Sequence, residues 1–191
     1  MKIPVGISNR HVHLKEEDLH TLFGENYELT VQKHLTQPGE FASAETVTLE
    51  GPKGSIEKVR VLGPVRKYTQ IEISKTDSYK LGVKPPVRMS GNLENSETIT
   101  IIGPKGSVTT TGCILAARHI HITEEDLNKY NLKLNKPYQI KVNGEKETIL
   151  GSVYIKTGNS YFELHLDTDD ANACMLKNGD MVELITDEEW N

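Results

Sequence analysis

The sequence has little cysteine, few aromatic residues and no long apolar run. Its 191 residues include two cysteines, Cys113 and Cys174, and 6% aromatic residues. Two cysteines cannot build a disulfide framework, although a chain of this length can bury one large or two small cores without one. The apolar runs are far shorter than a membrane span, and residues 1–4 lack the apolar core of a signal peptide. These absences favour a cytoplasmic protein.

The sequence also lacks an excess of basic residues. It has 22 Lys+Arg against 27 Asp+Glu, which gives a net charge of -5. No basic run resembles those that bind a phosphate backbone, so neither nucleic acid nor a membrane is expected as a partner. The many Val, Ile and Thr residues beside short polar turns favour a mainly β fold.

A ten-residue pattern occurs twice in the chain. Residues 10–19 and 118–127 share Arg-His-x-His-x-x-Glu-Glu-Asp-Leu, and the copies are 108 positions apart. Four of the seven histidines fall in these copies. A single His-x-His pair is weak evidence for any site, because short motifs recur by chance. Two copies in one frame indicate an internal duplication in which paired imidazoles are needed twice.

The motif predicts a strand followed by a short helix. Apolar residues alternate over residues 3–14, as in a strand, where His11 and His13 would share one face. Residues 16–23 are predicted as a helix that ends at Gly24. In the second copy, Thr123 with an acidic residue three positions later is close to a capping box.

The rest of the chain is predicted to be strand-rich. Residues 27–37 are predicted as a strand pair, and residues 85–92 as an ordered connection because they are rich in proline. Two Gly-Pro-Lys-Gly turns, at 51–54 and 103–106, predict hairpins and favour a closed antiparallel sheet. The polar residues 187–191 are expected to fray. Further strands are predicted at residues 59–66, 69–74, 138–142, 147–154, 161–166 and 181–185.

The paired histidines predict two metal sites. Neutral imidazole is the commonest protein ligand for zinc, and catalytic zinc usually has three protein ligands and one open position. Each pair therefore needs a third ligand. The alternating segments 70–74 and 162–167 align so that Glu72 and His165 take the same place. The predicted ligand sets are His11, His13 and Glu72 in the first half, and His119, His121 and His165 in the second.

The charge of these sites favours an oxyanion as a ligand. Two Zn²⁺ ions with five neutral imidazoles and one carboxylate leave about +3, which attracts an anion such as phosphate. Arg66 lies six positions before Glu72, so both are expected on one face of a single extended segment. Its guanidinium could then bind the same anion through two parallel hydrogen bonds.

These motifs resemble those of the PduL-type phosphate propanoyltransferases. The resemblance covers essentially the whole chain and includes the blocks 60–74 and 165–173. It implies two small β-barrels capped by short α-helices, with an internal duplication and crossed-over chain segments. One barrel would contain residues 1–9 and 118–191. The other would contain residues 10–117, with an inserted hairpin near residues 25–44.

The resemblance also implies an activity. A zinc-dependent phosphate propanoyltransferase exchanges CoA and inorganic phosphate on a short-chain acyl group, so propanoyl-CoA and phosphate give propanoyl phosphate and CoA. Phosphate would be held at a dinuclear zinc site and attack the thioester directly, with Arg66 as the catalytic residue. The two zinc ions fall on the six predicted ligands, and CoA is the second substrate. The implied CoA-binding residues are Ser8, Lys33, Arg60, Leu62 and Asn172.

The resemblance bears on location and assembly as well. Members of this family serve propanediol degradation in bacterial microcompartments, and those members carry an N-terminal extension, whereas the first motif histidine here is residue 11. A cytoplasmic location is expected, with a microcompartment lumen as the alternative. Small-molecule substrates and a homodimer are expected as partners. Relatives often carry an acidic residue where this chain has Asn92, so the loop at 85–92 is given no role.

Other functions fit parts of the pattern. His11 and His13 followed by Glu17 and Gly24 have the spacing of a first cupin motif, which predicts an Fe(II) oxygenase. Against it, Glu17 lies in the predicted helix, and the second copy has Leu132 in place of the glycine. A dinuclear zinc hydrolase of thioesters or phosphate esters would use the same ligands with water as the nucleophile. A non-catalytic metal-binding or assembly protein is the third alternative.

Overall fold

The computed structural model describes residues 1–158 and 161–185. The end predicted to fray, residues 187–191, lies outside the described residues. The chain divides into two compact units, Asn9–Ala116 and Met1–Ser8 with Ala117–Asn191. They are called here the central unit and the terminal unit. Each has its own cluster of buried apolar side chains.

Strands dominate both units, and the helices are short. The helices are α1 Glu16–Phe23, α2 Lys75–Leu81, α3 Glu124–Lys129 and α4 Thr168–Ala173. The strands are β1 Lys2–Ser8, β2 His11–Lys15, β3 Val31–His34, β4 Phe41–Gly51, β5 Gly54–Arg66, β6 Gln70–Glu72, β7 Val87–Arg88, β8 Glu97–Ile102, β9 Ser107–Ala116, β10 His119–Ile122, β11 Tyr138–Val142, β12 Thr148–Thr157, β13 Glu163–Asp167 and β14 Met181–Ile185.

The central unit closes into a six-stranded barrel. Its strands pair in the order β4-β5-β2-β6-β9-β8, and β8 pairs back onto β4. The edge strands β3 and β7 extend β4 and β9. The pairs β2–β5 and β6–β9 are parallel, so the expectation of a wholly antiparallel sheet is wrong. Parallel neighbours need crossover connections, and the chain between β2 and β5 supplies one with α1 and the β3–β4 hairpin.

The terminal unit repeats this barrel with a crossed-over strand. Its closed order is β1-β13-β10-β12-β11-β14, and β1–β13 and β10–β12 are parallel. Strand β1 precedes the first histidine motif in sequence but lies in the terminal unit, while β9 precedes the second motif but lies in the central unit. The predicted mainly β fold with two barrels, short helices and crossed-over segments is confirmed.

Local signals placed several elements correctly. Helix α1 spans the predicted residues and ends at Gly24. The φ of this residue is 118°, a backbone conformation that glycine adopts more easily than other residues. Its N-cap, Lys15, offers no side-chain cap, whereas the hydroxyl of Thr123 accepts a hydrogen bond from the Asp126 amide at the start of α3. No helix in the described ranges is long and apolar enough to cross a membrane.

The strand pair predicted at residues 27–37 is wrong. Only β3 forms there, and it pairs with the start of β4. The buried Glu45 carboxylate accepts hydrogen bonds from the Tyr27 hydroxyl and the Thr30 amide, so this amide has a side-chain partner in place of a second strand. Helix α2 was not predicted, although Ser74 and Asp77 form a complete capping box.

Candidate metal centres

Strand pairing brings the histidines of the terminal unit together. In the antiparallel pair β10–β13, His119 lies opposite His165 and His121 lies opposite Glu163. The alternating residues Ile120 and Leu164 are buried in the apolar core, so these four polar side chains share the other face of the sheet. A strand that buries one face therefore displays ligands on its second face.

The terminal cluster has the geometry of a metal site. His119 donates from Nδ1 to the Ala117 carbonyl at 2.8 Å, which leaves Nε2 with its lone pair. That atom lies 3.1 Å from Nε2 of His121. Tetrahedral zinc bonds of about 2.0 to 2.1 Å separate two ligand nitrogens by roughly 3.3 Å. The pKa of His121 is lowered to about 3, mainly by burial and then by the charges of His119, His165 and Lys156. Its imidazole is therefore neutral and able to bind a metal.

The central cluster repeats the arrangement with a carboxylate. In the antiparallel pair β2–β6, His11 lies opposite Glu72 and His13 lies opposite Gln70. His11 donates from Nδ1 to the Asn9 carbonyl at 2.8 Å, and its Nε2 lies 3.5 Å from a Glu72 oxygen. In both clusters the three ligand atoms lie within 4.8 Å of one another.

Burial and charge act in opposite directions in the central cluster. Burial and the neighbouring charges of His11 and Arg66 hold the pKa of His13 well below its usual value. Burial also disfavours protonated His11, but the adjacent Glu72 carboxylate outweighs it and raises the pKa of His11. The carboxylate thus stabilises positive charge at this cluster, as it would for a bound cation.

Arg66 affects the central cluster through its charge, and it does not share a strand with Glu72. Strand β5 ends at Arg66 and β6 begins at Gln70, so the expectation of one extended segment shared with Glu72 is wrong. The Arg66 guanidinium donates to Glu40 at 2.8 Å and to the Ser90 hydroxyl at 3.5 Å. Its charge nevertheless contributes to the lowered pKa of His13, and at His11 it opposes the larger effect of Glu72, which raises the pKa.

Sequence reasoning missed Gln70 and its partners. Gln70 donates from Nε2 to Glu72 at 2.6 Å and to Ser90 at 2.9 Å, and accepts from the Gly91 amide at 2.8 Å. The loop that received no role therefore orients the residue beside Glu72. The available signal was the two-residue spacing of Gln70 and Glu72, which places both on one strand face.

The motif arginines hold helices against the histidine strands. Arg10 binds both carboxylate oxygens of Asp77, at 2.9 and 2.8 Å, near the start of α2. Arg118 binds Asp170 in the same way at 2.8 and 2.7 Å, near the start of α4. These bidentate ion pairs account for the arginine that both copies share.

The predicted CoA-binding residues are distributed over both units. In the central unit Arg60 and Leu62 lie on β5 opposite His11 and His13, and the exposed Lys33 lies on β3. In the terminal unit Ser8 ends β1, two positions after a residue opposite His165, and Asn172 is exposed on α4. Within each unit, Ser8, Arg60 and Leu62 thus share strand faces with the clusters, and their role stays a prediction.

Comparison with known proteins identifies the family. The sequence profile of phosphate propanoyltransferases matches residues 4–177. A phosphate propanoyltransferase of Thermotoga maritima is 54% identical over 186 residues, which cover 96% of this chain and 89% of that protein. The chain belongs to the phosphate propanoyltransferase family.

Other members of the family also match over most of both chains. A Rhodobacter capsulatus phosphate propanoyltransferase is 50% identical over 94% of this chain and 85% of its own length. One from Priestia megaterium is 51% identical over 93% of this chain and 83% of its own length. The resemblance indicated by the sequence motifs is therefore confirmed.

The structure does not assemble the cupin ligand set in this family member. Glu17 lies on α1, is 82% exposed and pairs with Lys15 at 2.7 Å, while Glu72 takes the carboxylate place in the cluster.

Cys113 is no candidate nucleophile either. Burial, followed by the charges of Glu97 and Asp77, raises the pKa of its thiol to about 12, so it stays protonated at neutral pH.

Proposed function

We propose that this chain is a zinc-dependent phosphate acyltransferase that exchanges CoA and inorganic phosphate on a short-chain acyl group. The reaction would convert propanoyl-CoA and phosphate to propanoyl phosphate and CoA. The observation that carries the proposal is the repeated histidine cluster in a chain of the phosphate propanoyltransferase family. The proposal includes a dinuclear zinc site and direct attack of phosphate on the thioester.

The donor sets fit zinc better than magnesium or calcium. Three imidazoles in one cluster and two imidazoles with a carboxylate in the other are the ligands that zinc prefers, whereas hard cations take oxygen ligands. The backbone acceptors of His11 and His119, the Asn9 and Ala117 carbonyls, set the tautomer of each ring. When bound, zinc would supply Lewis acidity that polarises a phosphate or carbonyl oxygen.

Arg66 is proposed to bind and orient phosphate. Its guanidinium carries five N–H donors, and its bonds to Glu40 and Ser90 leave donors for an anion. Ser90 also binds Gln70, which binds Glu72. The same hydrogen-bonded series therefore orients both the anion-binding group and the carboxylate of the central cluster. No covalent acyl-enzyme is required, because phosphate itself is the nucleophile.

The proposed CoA contacts follow from residue chemistry. Lys33 and Arg60 supply positive charge for phosphate groups of CoA. Leu62 is apolar, while Ser8 and Asn172 offer hydrogen-bonding groups. Arg60 already donates to the Ser43 and Ala44 carbonyls at 2.9 and 2.8 Å, which holds its guanidinium in place. Preordering of this kind lowers the entropic cost of binding.

Thiol release from propanoyl-CoA tests the activity. Zinc-loaded protein is incubated with propanoyl-CoA in the same buffer with and without phosphate, while free thiol and acyl phosphate are measured together. Phosphate-dependent release with an equal yield of acyl phosphate is expected. Release that ignores phosphate would instead identify a thioester hydrolase. No release in either condition, with two zinc ions bound per chain, would contradict both enzymatic proposals.

The remaining expectations stay predictions. A homodimer and a cytoplasmic or microcompartment location rest on the resemblance of the sequence. Acetyl-CoA and butanoyl-CoA belong in the same assay, because the ratio of kcat/KM values measures the preferred chain length directly.

A further inference from the structure

The terminal cluster contains a carboxylate that the predicted ligand set leaves out. An oxygen of Glu163 lies 2.8 Å from Nε2 of His165. Glu163 is also the direct cross-strand neighbour of His121. Both Glu163 and His165 are largely shielded, with side chains 18% and 21% exposed. A carboxylate in this position is an integral part of the cluster and not a solvated surface group.

The adjacent strand β1 makes room for this carboxylate. Gly6 lies opposite His165 in the parallel pair β1–β13. A Cβ atom at Gly6 would lie 2.6 Å from a Glu163 oxygen and 2.7 Å from its carboxyl carbon. Since real Cβ atoms do not approach so closely, any larger residue at position 6 would displace the Glu163 side chain. Because Gly6 has no side chain, the Glu163 carboxylate has the space to lie against β1.

The central cluster has the same four positions with the polar groups exchanged. There the carboxylate, Glu72, lies opposite His11, and the neutral Gln70 lies opposite His13. In the terminal cluster His165 lies opposite His119, and Glu163 occupies the place of Gln70. Counting Glu163, each cluster contains one carboxylate. The net charge of two zinc-loaded clusters falls from about +3 to about +2.

We propose that Glu163 is a positioning residue of the terminal cluster: it accepts a hydrogen bond from Nε2–H of His165, which leaves Nδ1 of that ring to bind the metal, and it supplies the negative charge that the three imidazoles lack. This inference rests on the proposed zinc sites. Carboxylate partners of ligating histidines fix the ring and raise its basicity, and their loss typically lowers metal affinity by about 10-fold to 100-fold. Glu163 would therefore raise the affinity of the terminal cluster for a divalent cation.

Zinc titration of Glu163→Gln tests the proposal. This substitution keeps the size of the side chain and removes its charge. Competition with a chromophoric chelator is expected to show two tight zinc ions per wild-type chain, and one tight and one about 10-fold to 100-fold weaker ion in the variant. Glu147→Gln is the matched control, because Glu147 belongs to the same unit but is 61% exposed beside Lys141. It should bind zinc as the wild type does.

Gly6→Ala provides an independent test with Glu163 still present. The added methyl group displaces the carboxylate, so a similar weakening of one zinc ion is expected at an unchanged net charge. Cobalt replacement gives a second readout, because the visible spectrum of the terminal site should change in both variants and not in the control. Two tight ions and an unchanged spectrum in both variants would overturn the role of Glu163 alone. A wild-type chain that binds no zinc would overturn the zinc sites as well.

Discussion

At the scale of single residues, a backbone carbonyl orients one histidine of each cluster. His11 and His119 each donate to the carbonyl two residues earlier. Since a carbonyl only accepts, Nδ1 carries the proton in both rings. The Arg-His-x-His motif thus specifies the tautomer locally, without help from distant residues.

Arg66 provides the first prediction at this scale. Replacing Arg66 with Ala should lower kcat for phosphate-dependent thiol release by about 10² to 10³-fold, because a preorganised charged donor is lost. Zinc content, measured by atomic spectroscopy, should stay at the wild-type value, since Arg66 donates to Glu40 and Ser90. Lys67→Ala removes the neighbouring exposed charge and is the control. Equal kcat values in Arg66→Ala and the wild type would refute the assignment.

Cys113 provides a prediction about pH. Its thiol pKa rises from 9.0 to about 12 on folding through burial and the charges of Glu97 and Asp77. Above pH 9 the unfolded thiol loses its proton while the folded thiol keeps it, so this group contributes stability below pH 9 that is lost as the pH rises toward 12. Urea unfolding should show the advantage of the wild type over Cys113→Ala shrinking by about 2 kcal/mol between pH 9 and 11. As a control, the difference in the free energy of unfolding between the wild type and Cys113→Ala should stay constant between pH 6 and 8. A difference that is also constant between pH 9 and 11 would contradict the burial of a protonated thiol.

At the scale of secondary structure elements, the two Gly-Pro-Lys-Gly turns close helices of the central unit. The Lys53 amide donates to the Leu81 carbonyl at the end of α2, and the Lys105 amide donates to the Leu22 carbonyl near the end of α1, at 3.1 and 3.0 Å. Carbonyls at helix ends need such partners. Each turn therefore joins a strand pair to a helix as well as reversing the chain.

A substitution at Gly103 tests the contact between the second turn and the end of α1. A Cβ atom at Gly103 would lie 2.5 Å from the Leu22 carbonyl oxygen, and backbone cannot move aside as a side chain can. Gly103→Ala should lower the free energy of unfolding by about 1 to 3 kcal/mol, as other overpacked sites do. Urea unfolding monitored by circular dichroism measures the change.

Gly151→Ala is the matched control for that substitution. Gly151 lies on β12, and the nearest atom to an added Cβ is Gln139 Cγ at 4.0 Å. Its stability should change by no more than about 0.5 kcal/mol. Equal effects of the two substitutions would show that contact with the helix end is not the cause.

At the scale of the whole molecule, the chain is duplicated but its barrels are not consecutive in sequence. Strand β1 is paired with β13 and β14, although 154 residues lie between Ser8 and Glu163 in the sequence. The terminal barrel can therefore close only after the last strands have formed. Contacts of such long sequence separation carry a high loop-closure cost.

Val5→Asp tests the dependence of the terminal barrel on β1. Val5 is 1% exposed in the terminal core, so an unpaired charge there should open this barrel. Hydrogen exchange should show lost protection in β10 to β14, and one of two zinc ions should be released. The central unit, which has its own apolar core, should keep its protection. Lys2→Asp on the same strand is the exposed control; uniform loss of protection in Val5→Asp would contradict independent cores.

Local sequence signals predicted much of the fold and both candidate ligand sets. The duplicated motif, the alternation around the histidines and the alignment of Glu72 with His165 predicted both ligand sets, and the structure brings each set together. Helix ends at Gly24 and the cap at Thr123 were also predictable. These features depend on residues a few positions apart, where backbone geometry alone decides which side chains share a face.

Only the tertiary structure decided the rest. The parallel strand pairs, the hydrogen bond from the Thr30 amide to Glu45, and the support of Glu72 by Gln70 and Ser90 all join distant residues. The fit of Glu163 into the space left by Gly6 is the extreme case. Strand periodicity fixes which face a side chain occupies, but the pairing of strands decides its neighbours, and pairing is a property of the closed barrel as a whole.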